Sequence, residues 1–353
     1  MFIDMRIAFL HTVPQRYEIN NLIQDISLNV CDSDFVFFEF PCLWSSGNFA
    51  LNLLKFRKFL KRNRIDIVHA YDYIDAYCVL LSSKGLNVKV VFSDYFYHDD
   101  LTGFKNNIYK NVLKKVDHVI FQSESQKKYC VSNYKMNLDR CSKLFHAFCL
   151  KRYDNFEFNS VRDEFFIDDL RYLIGTIGDF DPRRDMMSVF KMIKKLRRSG
   201  RNFTCVVAGD QIEEYDSYYD ECKYYYLIQG LDNYITYIGR REDAANLLSQ
   251  LDVFVYNSAR EAVAIPVIEA MISGINIVVN DCEMIREITS NGKYASLYVE
   301  NDDVDFANKT RNVLLDLEDY KMISEVVKEE TREIFSIDRH ISGLKNIYSK
   351  LNC

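Results

Sequence analysis

The sequence has 353 residues, of which 48% are hydrophobic and 27% are charged, and its formal net charge at pH 7 is −6. This composition excludes a disordered or fibrous chain, and the length exceeds one ordinary hydrophobic core, so two domains of similar size are expected. The acidic balance and the lack of a recognisable reader motif argue against nucleic-acid binding.

The charges are unevenly divided along the chain. Residues 1–160 carry 21 lysines and arginines against 17 aspartates and glutamates, and the remainder carries 24 against 34. A mildly basic first half is suited to contact with an anionic surface, such as a membrane or a phosphate-bearing acceptor. Solvated helix faces explain the same pattern without a partner, and the charges alone leave both interpretations open.

The ten cysteines are scattered and form no Cys-x-x-Cys pair, which indicates reduced thiols and not a disulfide framework. The first residues do not have the pattern of a signal peptide, and no apolar run reaches the roughly 20 residues that a bilayer requires. We therefore expect a cytoplasmic protein, with peripheral attachment at the inner face of the membrane as an open alternative.

Short apolar runs alternate with helical patterns, which is typical of parallel sheets covered by helices. The first half predicts strands at residues 5–10, 35–40, 65–69, 88–92 and 118–121, and helices at residues 51–62 and 107–116. Residues 153–169 are polar and aromatic with weak periodicity, and are interpreted as the connection between domains.

The second half repeats this alternation. It predicts strands at residues 172–177, 203–208, 235–238, 253–256 and 275–279, and helices at residues 185–198, 215–229, 244–250 and 266–273. Two successive sets of this kind predict an α/β chain with two doubly wound, Rossmann-like domains that face each other across a cleft.

The segment DVFVYNSAREAVAIPVIEAMISGINIVVN, residues 252–280, is the most informative. A buried strand leads to a loop with Glu261, Pro266 stands where a helix can begin, and Gly274 is placed to end that helix. Glu269 is predicted in the first helical turn. Both glutamates would then lie near the carboxyl ends of the strands, where open α/β sheets bind ligands.

This segment resembles glycosyltransferase family 4, whose members have the GT-B fold. The matching residues, in chain order, are Ser258, Glu261, Glu269, Ala270, Met271, Gly274, Val278 and Val279. The resemblance implies that Glu269 holds the ribose hydroxyls of a nucleotide and that Glu261 faces the donor sugar. The family usually has glycines after the first glutamate, whereas this chain has Ala262 and Ala264.

A second match lies in GTIGDFDPRR, residues 175–184. Gly178 fits the family pattern, Arg184 replaces a lysine, and Asp179 replaces an arginine, so one expected cation is missing from the diphosphate site. The YIGR stretch at residues 237–240 resembles the strand and turn that meet the nucleobase. The resemblance thus implies a donor-nucleotide site formed by Gly178, Arg184, Arg240, Ile265 and Glu269.

The first half of the chain is less explicit. Relatives often carry a histidine after the strand equivalent to residues 88–92, near the donor sugar, and here Asp94 and His98 compete for that catalytic place. Asp32-Ser33-Asp34 looks like a metal-binding Asp-x-Asp, but it directly precedes a strand, where these residues favour a turn. No metal and no other cofactor are therefore expected.

The resemblance implies a retaining, metal-independent glycosyltransferase that moves a sugar from a nucleotide-sugar donor to a glycan or lipid-linked acceptor, with a role in surface polysaccharide synthesis. Expected units are residues 1–160 on the acceptor side, residues 161–335 on the donor side, and a helix at residues 336–353 that packs back on the first unit. Two alternatives stay open, namely a nucleotide-sugar epimerase and a non-catalytic nucleotide-sugar binding protein.

Overall fold

Two six-stranded parallel sheets organise the chain. The computed structural model describes residues 5–11, 17–30, 35–41, 43, 49–98, 101–257 and 261–351. The first unit comprises Met1–Cys149 with Phe335–Cys353, and the second comprises Leu150–Ile334. Each sheet therefore belongs to one unit, and each unit has its own core.

The sheet of the first unit has the strand order β2-β1-β3-β4-β5-β6. Its four inner strands, β1, β3, β4 and β5, are apolar and largely buried, as expected where helices cover both faces of a parallel sheet. The described elements are β1 (Met5–Leu10), α1 (Tyr17–Asn29), β2 (Phe35–Phe40), α2 (Phe49–Asn63), β3 (Ile67–Ala70), α3 (Tyr73–Ser82), β4 (Lys89–Asp94), α4 (Gly103–Lys115), β5 (His118–Phe121), α5 (Glu124–Tyr134) and β6 (Cys141–Lys143).

The sheet of the second unit has the order β12-β11-β10-β7-β8-β9. Its elements are α6 (Lys151–Asp154), α7 (Val161–Glu164), β7 (Tyr172–Ile177), α8 (Met186–Leu196), β8 (Phe203–Ala208), α9 (Asp216–Ile228), β9 (Ile235–Tyr237), α10 (Ala244–Ser249), β10 (Val253–Tyr256), α11 (Ile265–Ser273), β11 (Ile277–Asn280), α12 (Glu283–Ile288), β12 (Ser296–Tyr298), α13 (Asp303–Leu315) and α14 (Leu317–Ile334). The order reverses between β7 and β10, and such a reversal marks where ligands bind in a doubly wound sheet.

The last helix, α15 (Ile337–Leu351), belongs to the first unit. Its Tyr348 hydroxyl lies 2.6 Å from Nδ1 of His69 in β3, and its His340 Nδ1 lies 2.7 Å from the Phe145 carbonyl oxygen. Both histidines are buried. These contacts fix the last helix against β3 and against the segment that follows β6.

The boundary predicted after residue 160 is eleven residues too late, since the second unit starts at Leu150. The Tyr153 hydroxyl donates to Glu269 at 2.7 Å, and the backbone N–H of Asn159 donates to Oδ1 of Asn246 at 3.1 Å. Residues 153–169 are thus a packed part of the second unit, held by side chains that are distant in sequence. Weak periodicity is not enough to identify a linker when hydrogen bonds of this kind fix the backbone.

Candidate active site

The residues predicted for donor binding gather at the carboxyl ends of β7 and β10. These two strands are neighbours, and the strand order reverses between them. The loop after β7 carries Gly178 and Arg184, and the segment after β10 carries Glu261. Ser258, which contributes to the family resemblance, lies outside the described residues.

Glu261 is held from two sides. Its Oε1 accepts a hydrogen bond from Nε of Arg184 at 3.2 Å, and its Oε2 accepts one from the Tyr256 hydroxyl at 2.8 Å. Burial and the nearby Glu261 charge raise the pKa of Tyr256 well above its ordinary value, so this hydroxyl stays a donor. The structure therefore joins the predicted sugar-facing glutamate and the predicted diphosphate arginine in one ion pair.

Glu269 lies in α11, where its carboxylate accepts the hydrogen bond from Tyr153. The predicted position in the first turn is wrong, because the helix begins at Ile265 and Glu269 is its fifth residue. A first-turn stabilisation by the helix dipole therefore does not account for this glutamate. Ile265 is half-buried at the helix start, and the preceding Ala264 provides no side-chain cap.

Asp179, which stands where the family has an arginine, binds Arg240 instead. Nη2 of Arg240 lies 2.7 Å from one oxygen of Asp179, and the backbone N–H of Asp210 donates to the other oxygen at 2.9 Å. The Arg240 N–H in turn donates to the Asp210 carboxylate at 3.2 Å. The turn after β9 thus brings a cation to the place where the sequence lacks one, and the Arg240 side chain is 53% exposed.

The two residues behind the site, Asp185 and Asn257, were not singled out from the sequence. The amide of Asn257 donates to Asp185 at 2.7 Å and accepts from the Tyr298 hydroxyl at 2.6 Å. Asn257 directly follows β10 and is buried. An Asn at the end of a buried strand was the only signal in the sequence, and it does not by itself indicate its partners.

Glycines allow the ends of β7, β8 and β9 to approach closely. Gly178 donates to the Ala208 carbonyl at 2.8 Å, and Gly209 donates to the Gly239 carbonyl at 3.0 Å. A Cβ atom on Gly209 would lie 2.1 Å from the Gly178 carbonyl oxygen, and a backbone oxygen cannot rotate away. These strand ends position Asp179 and Arg240, so the close approach is part of the site.

We expect Gly209→Ala to lower the free energy of unfolding by about 2–3 kcal/mol, which is the cost of overpacking a close-packed region. Urea unfolding of the purified variant measures this change. Gly230→Ala is the control, because its Cβ would meet nothing within 4 Å and only its φ of +58° is unfavourable, at a cost of about 1–2 kcal/mol. Equal stability of Gly209→Ala and the unmodified chain would show that the strand ends can separate without penalty.

In the first unit, Asp94 and His98 form a pair, although the sequence left them as competitors for one place. His98 Nε2 lies 3.2 Å from Oδ1 of Asp94, and the Tyr109 hydroxyl donates to Oδ2 at 2.6 Å. Asp94 is completely buried, whereas the His98 side chain retains 9% exposure. In this arrangement Asp94 is suited to orient His98, and His98 is the member of the pair that can meet a ligand.

We expect Tyr109→Phe to destabilise the chain by about 1–3 kcal/mol, because it leaves a buried carboxylate oxygen without its donor. Thermal and urea unfolding measure the loss. Tyr224→Phe is a matched control, since Tyr224 is 66% exposed. A change no larger than that of the control would mean that the Tyr109 hydrogen bond does not support the Asp94–His98 pair.

The sequence predicts that the Asp-x-Asp segment at residues 32–34 is a turn and that no metal is bound. Asp32, Ser33 and Asp34 lie outside the described residues, and within those residues no group of three or more His, Cys, Asp or Glu side chains is arranged to hold a metal ion.

Across the described part of the chain, every helix is too short or too polar to span a bilayer.

Two family models match the chain. "Glycosyl transferases group 1" matches residues 157–330, and "Glycosyltransferase Family 4" matches residues 25–142. The two matches fall in different units and together span most of the sequence.

Similar proteins carry related names. N,N'-diacetylbacillosaminyl-diphospho-undecaprenol alpha-1,3-N-acetylgalactosaminyltransferase of Campylobacter jejuni is 33% identical over 107 residues, which are 30% of this chain and 28% of that protein. The phosphatidylinositol N-acetylglucosaminyltransferase gpi3 subunit of Schizosaccharomyces pombe is 20% identical over 80% of this chain and 60% of its own length. The matched segments thus span less than two thirds of either relative.

The fold is shared with solved structures. Anabaena Alr3699/HepE, crystallised with UDP and glucose, superposes with a TM-score of 0.80 at 16% identity, over 98% of this chain and 100% of that one. A glycosyltransferase from Rickettsia africae superposes with a TM-score of 0.80 at 17% identity, over 98% of both chains. The predicted two-domain, Rossmann-like α/β architecture is therefore confirmed, and the chain belongs to glycosyltransferase family 4.

Proposed function

We propose that the chain transfers a sugar from a nucleotide-sugar donor to a glycan or lipid-linked acceptor. The observation that carries this proposal is the ion pair of Arg184 with Glu261 at the point where the strand order reverses. A cation and a carboxylate at such a place suit a ligand that carries both phosphate and hydroxyl groups. The Anabaena structure with UDP and glucose supports the same ligand class for this fold.

Each residue has a defined task in this proposal. Arg184 neutralises charge that develops on the departing diphosphate, as preorganised cations do in phosphate sites. Glu261 is held by Arg184 and Tyr256 and orients the hydroxyls of the transferred sugar. Arg240 provides a second cation beside Asp179, and the helix start at Ile265 contributes backbone N–H groups.

Transfer is proposed to retain the anomeric configuration and to require no metal, as the family resemblance implies. The cations of the site would then perform the charge neutralisation for which other enzymes use a divalent ion. On this proposal His98 is the catalytic residue of the first unit, and Asp94 orients its ring.

The acceptor is proposed to be a glycan or lipid-linked sugar used in surface polysaccharide synthesis. The name of the Campylobacter relative includes a diphospho-undecaprenol acceptor, and that of the Schizosaccharomyces relative includes phosphatidylinositol. A lipid-linked acceptor would require the chain to work at a membrane, at its cytoplasmic surface.

The test is a transfer assay with the full chain, with UDP-, GDP- and ADP-sugars as donors and undecaprenyl-diphosphate sugars as acceptors, in the presence of EDTA. Product linkage and anomeric configuration are read by NMR. A product with the donor's configuration, formed in EDTA, supports the proposal. Isomerised donor without acceptor would indicate an epimerase, whereas donor binding without transfer or hydrolysis would indicate a binding protein.

A further inference from the structure

Two helices of the first unit carry positive charge only. Phe49–Asn63 (α2) and Gly103–Lys115 (α4) together contain nine lysines and arginines and no aspartate or glutamate, although the whole chain has a net charge of −6. Solvated helix faces usually mix both signs of charge. The concentration of one sign on two helices therefore calls for a physical reason.

The exposed side of α2 combines these cations with large apolar side chains. Leu51 and Leu54 are 46% and 64% exposed, and Lys55, Lys58 and Lys61 are exposed on the following turns. Spacings of three and four residues place all five on one side of a helix. The opposite side, with Phe56 and Leu60, is buried in the core, so the exposed leucines face away from that core.

Helix α4 has the same arrangement. Phe104 is 76% exposed. Lys110 and Lys114 are exposed about two and three turns further along, in the half of the helix that lies opposite its buried side. The buried side of this helix is formed by Tyr109, Val112 and Leu113. An exposed phenylalanine at the start of a lysine-rich helix repeats the combination found on α2.

Both helices lie on the same side of the sheet. The connections β2 to β3, β3 to β4 and β4 to β5 run in one direction along the sheet, and right-handed crossovers then place their helices on one side. Helix α3 packs between α2 and α4, and Arg57 of α2 donates to the carbonyl oxygens of Ser82 and Lys84 at the end of α3. We call the exposed sides of α2 and α4 the basic apolar face.

The lysines of this face are not committed to ion pairs within the part of the chain that the structure describes. Lys55, Lys58 and Lys61 on α2, and Lys110 and Lys114 on α4, form no salt bridge with a described acidic residue. Their charge is therefore available to an external partner.

We propose that the basic apolar face binds the surface of an anionic lipid bilayer. Lysines attract anionic headgroups, and leucine and phenylalanine side chains insert at the boundary with the acyl chains. A nucleic acid or an acidic protein segment would interact with the lysines alone, so Leu54 and Phe104 would stay exposed to water. The apolar and basic groups on the same sides of both helices therefore favour a membrane over these partners.

This inference rests on the proposed function in one respect, which is the reason for binding a membrane: the basic apolar face would bring the chain to a lipid-linked acceptor. Binding to vesicles needs neither donor nor acceptor. Vesicle binding and sugar transfer can therefore fail independently, and each failure identifies which of the two proposals is wrong.

The test is flotation of the full chain with vesicles of phosphatidylcholine alone or with 30% phosphatidylglycerol. Attraction of about fivefold per cation predicts that Lys58→Glu/Lys110→Glu lowers the partition coefficient on anionic vesicles at least twentyfold. Leu54→Ser/Phe104→Ser should lower it about tenfold, because it removes the inserted side chains. Binding should weaken steeply with salt.

Lys223→Glu/Lys321→Glu is the matched control, since both lysines are exposed and lie in the second unit. It makes the same charge change and should leave binding within twofold. Circular dichroism checks that each variant is folded. Three results would each overturn the proposal. The first is that the control loses as much vesicle binding as Lys58→Glu/Lys110→Glu, and the second is that the chain shows no preference for phosphatidylglycerol. The third is that the chain binds DNA and that Leu54→Ser/Phe104→Ser does not weaken this binding.

Discussion

Lowering the pH from 7 to 5 is expected to destabilise the first unit by at least about 4 kcal/mol and to leave the second nearly unchanged. Burial lowers the pKa of His146 to about 3 and that of His340 to about 4. In the unfolded chain each has a pKa of about 6.5, so at pH 5 only the unfolded state takes up the proton. Stability is thus fully present above pH 6.5 and is lost as the pH falls, by about 2 kcal/mol per histidine at pH 5.

The distribution of histidines makes this effect specific to one unit. All six lie within Met1–Cys149 or Phe335–Cys353, and Leu150–Ile334 contains none. His69 adds to this loss of stability, because burial holds its pKa well below the ordinary value. Its ring forms hydrogen bonds with the hydroxyls of Tyr348 and Ser93. The acid sensitivity of the first unit therefore includes the contact that fixes the last helix.

Hydrogen exchange at pH 7 and pH 5, corrected for the intrinsic exchange rate, resolves the two units in one experiment. Protection should fall in the first unit and persist in the second. His146→Gln should reduce the pH dependence of the first unit, since the variant has one fewer group that takes up a proton on unfolding. An equal loss of protection in both units would show that carboxylates, and not buried histidines, control acid stability.

Buried strands were the part of the fold that the sequence predicted best. The predicted ranges at residues 172–177, 203–208 and 253–256 coincide with β7, β8 and β10. Continuous apolar runs are a strong signal when a strand is covered on both faces. The three-residue strands β6 and β12, with sequences CSK and SLY, were not predicted, because a segment this short without a continuous apolar run is recognisable only by its pairing with β5 or β11.

The sequence indicated which residues form the candidate site, but it did not indicate the contacts between them. Motif order indicated Glu261 and Arg184, yet their ion pair joins positions 77 residues apart and depends on β10 lying beside β7. The same limit applies to Asp179, whose replacement of an arginine suggested a lost cation until the fold placed Arg240 against it. Local sequence patterns identify loops at strand ends, whereas the strand order decides which loops meet.

Replacement of Glu269 by alanine is expected to weaken binding of the matching nucleoside diphosphate about a hundredfold. The carboxylate would accept hydrogen bonds from both ribose hydroxyls, and charged hydrogen bonds of this kind contribute about 3 kcal/mol together. Tyr153→Phe should have a smaller effect of several-fold, because it removes only the group that orients the carboxylate. Calorimetric titration with UDP, GDP and ADP measures the affinities.

Two further ligands decide whether Glu269 acts on the ribose. Inorganic pyrophosphate lacks the sugar, so Glu269→Ala should bind it as well as the unmodified chain does, whereas Arg184→Met should bind both pyrophosphate and nucleotide more weakly. The 2′-deoxynucleotide should bind the unmodified chain weakly and the Glu269 variant no worse than the ribonucleotide. Glu221→Ala is the control for loss of a carboxylate in the same unit, since Glu221 is exposed on α9. If Glu269→Ala weakened pyrophosphate and nucleotide equally, the glutamate would support the fold of the site and would not read the ribose.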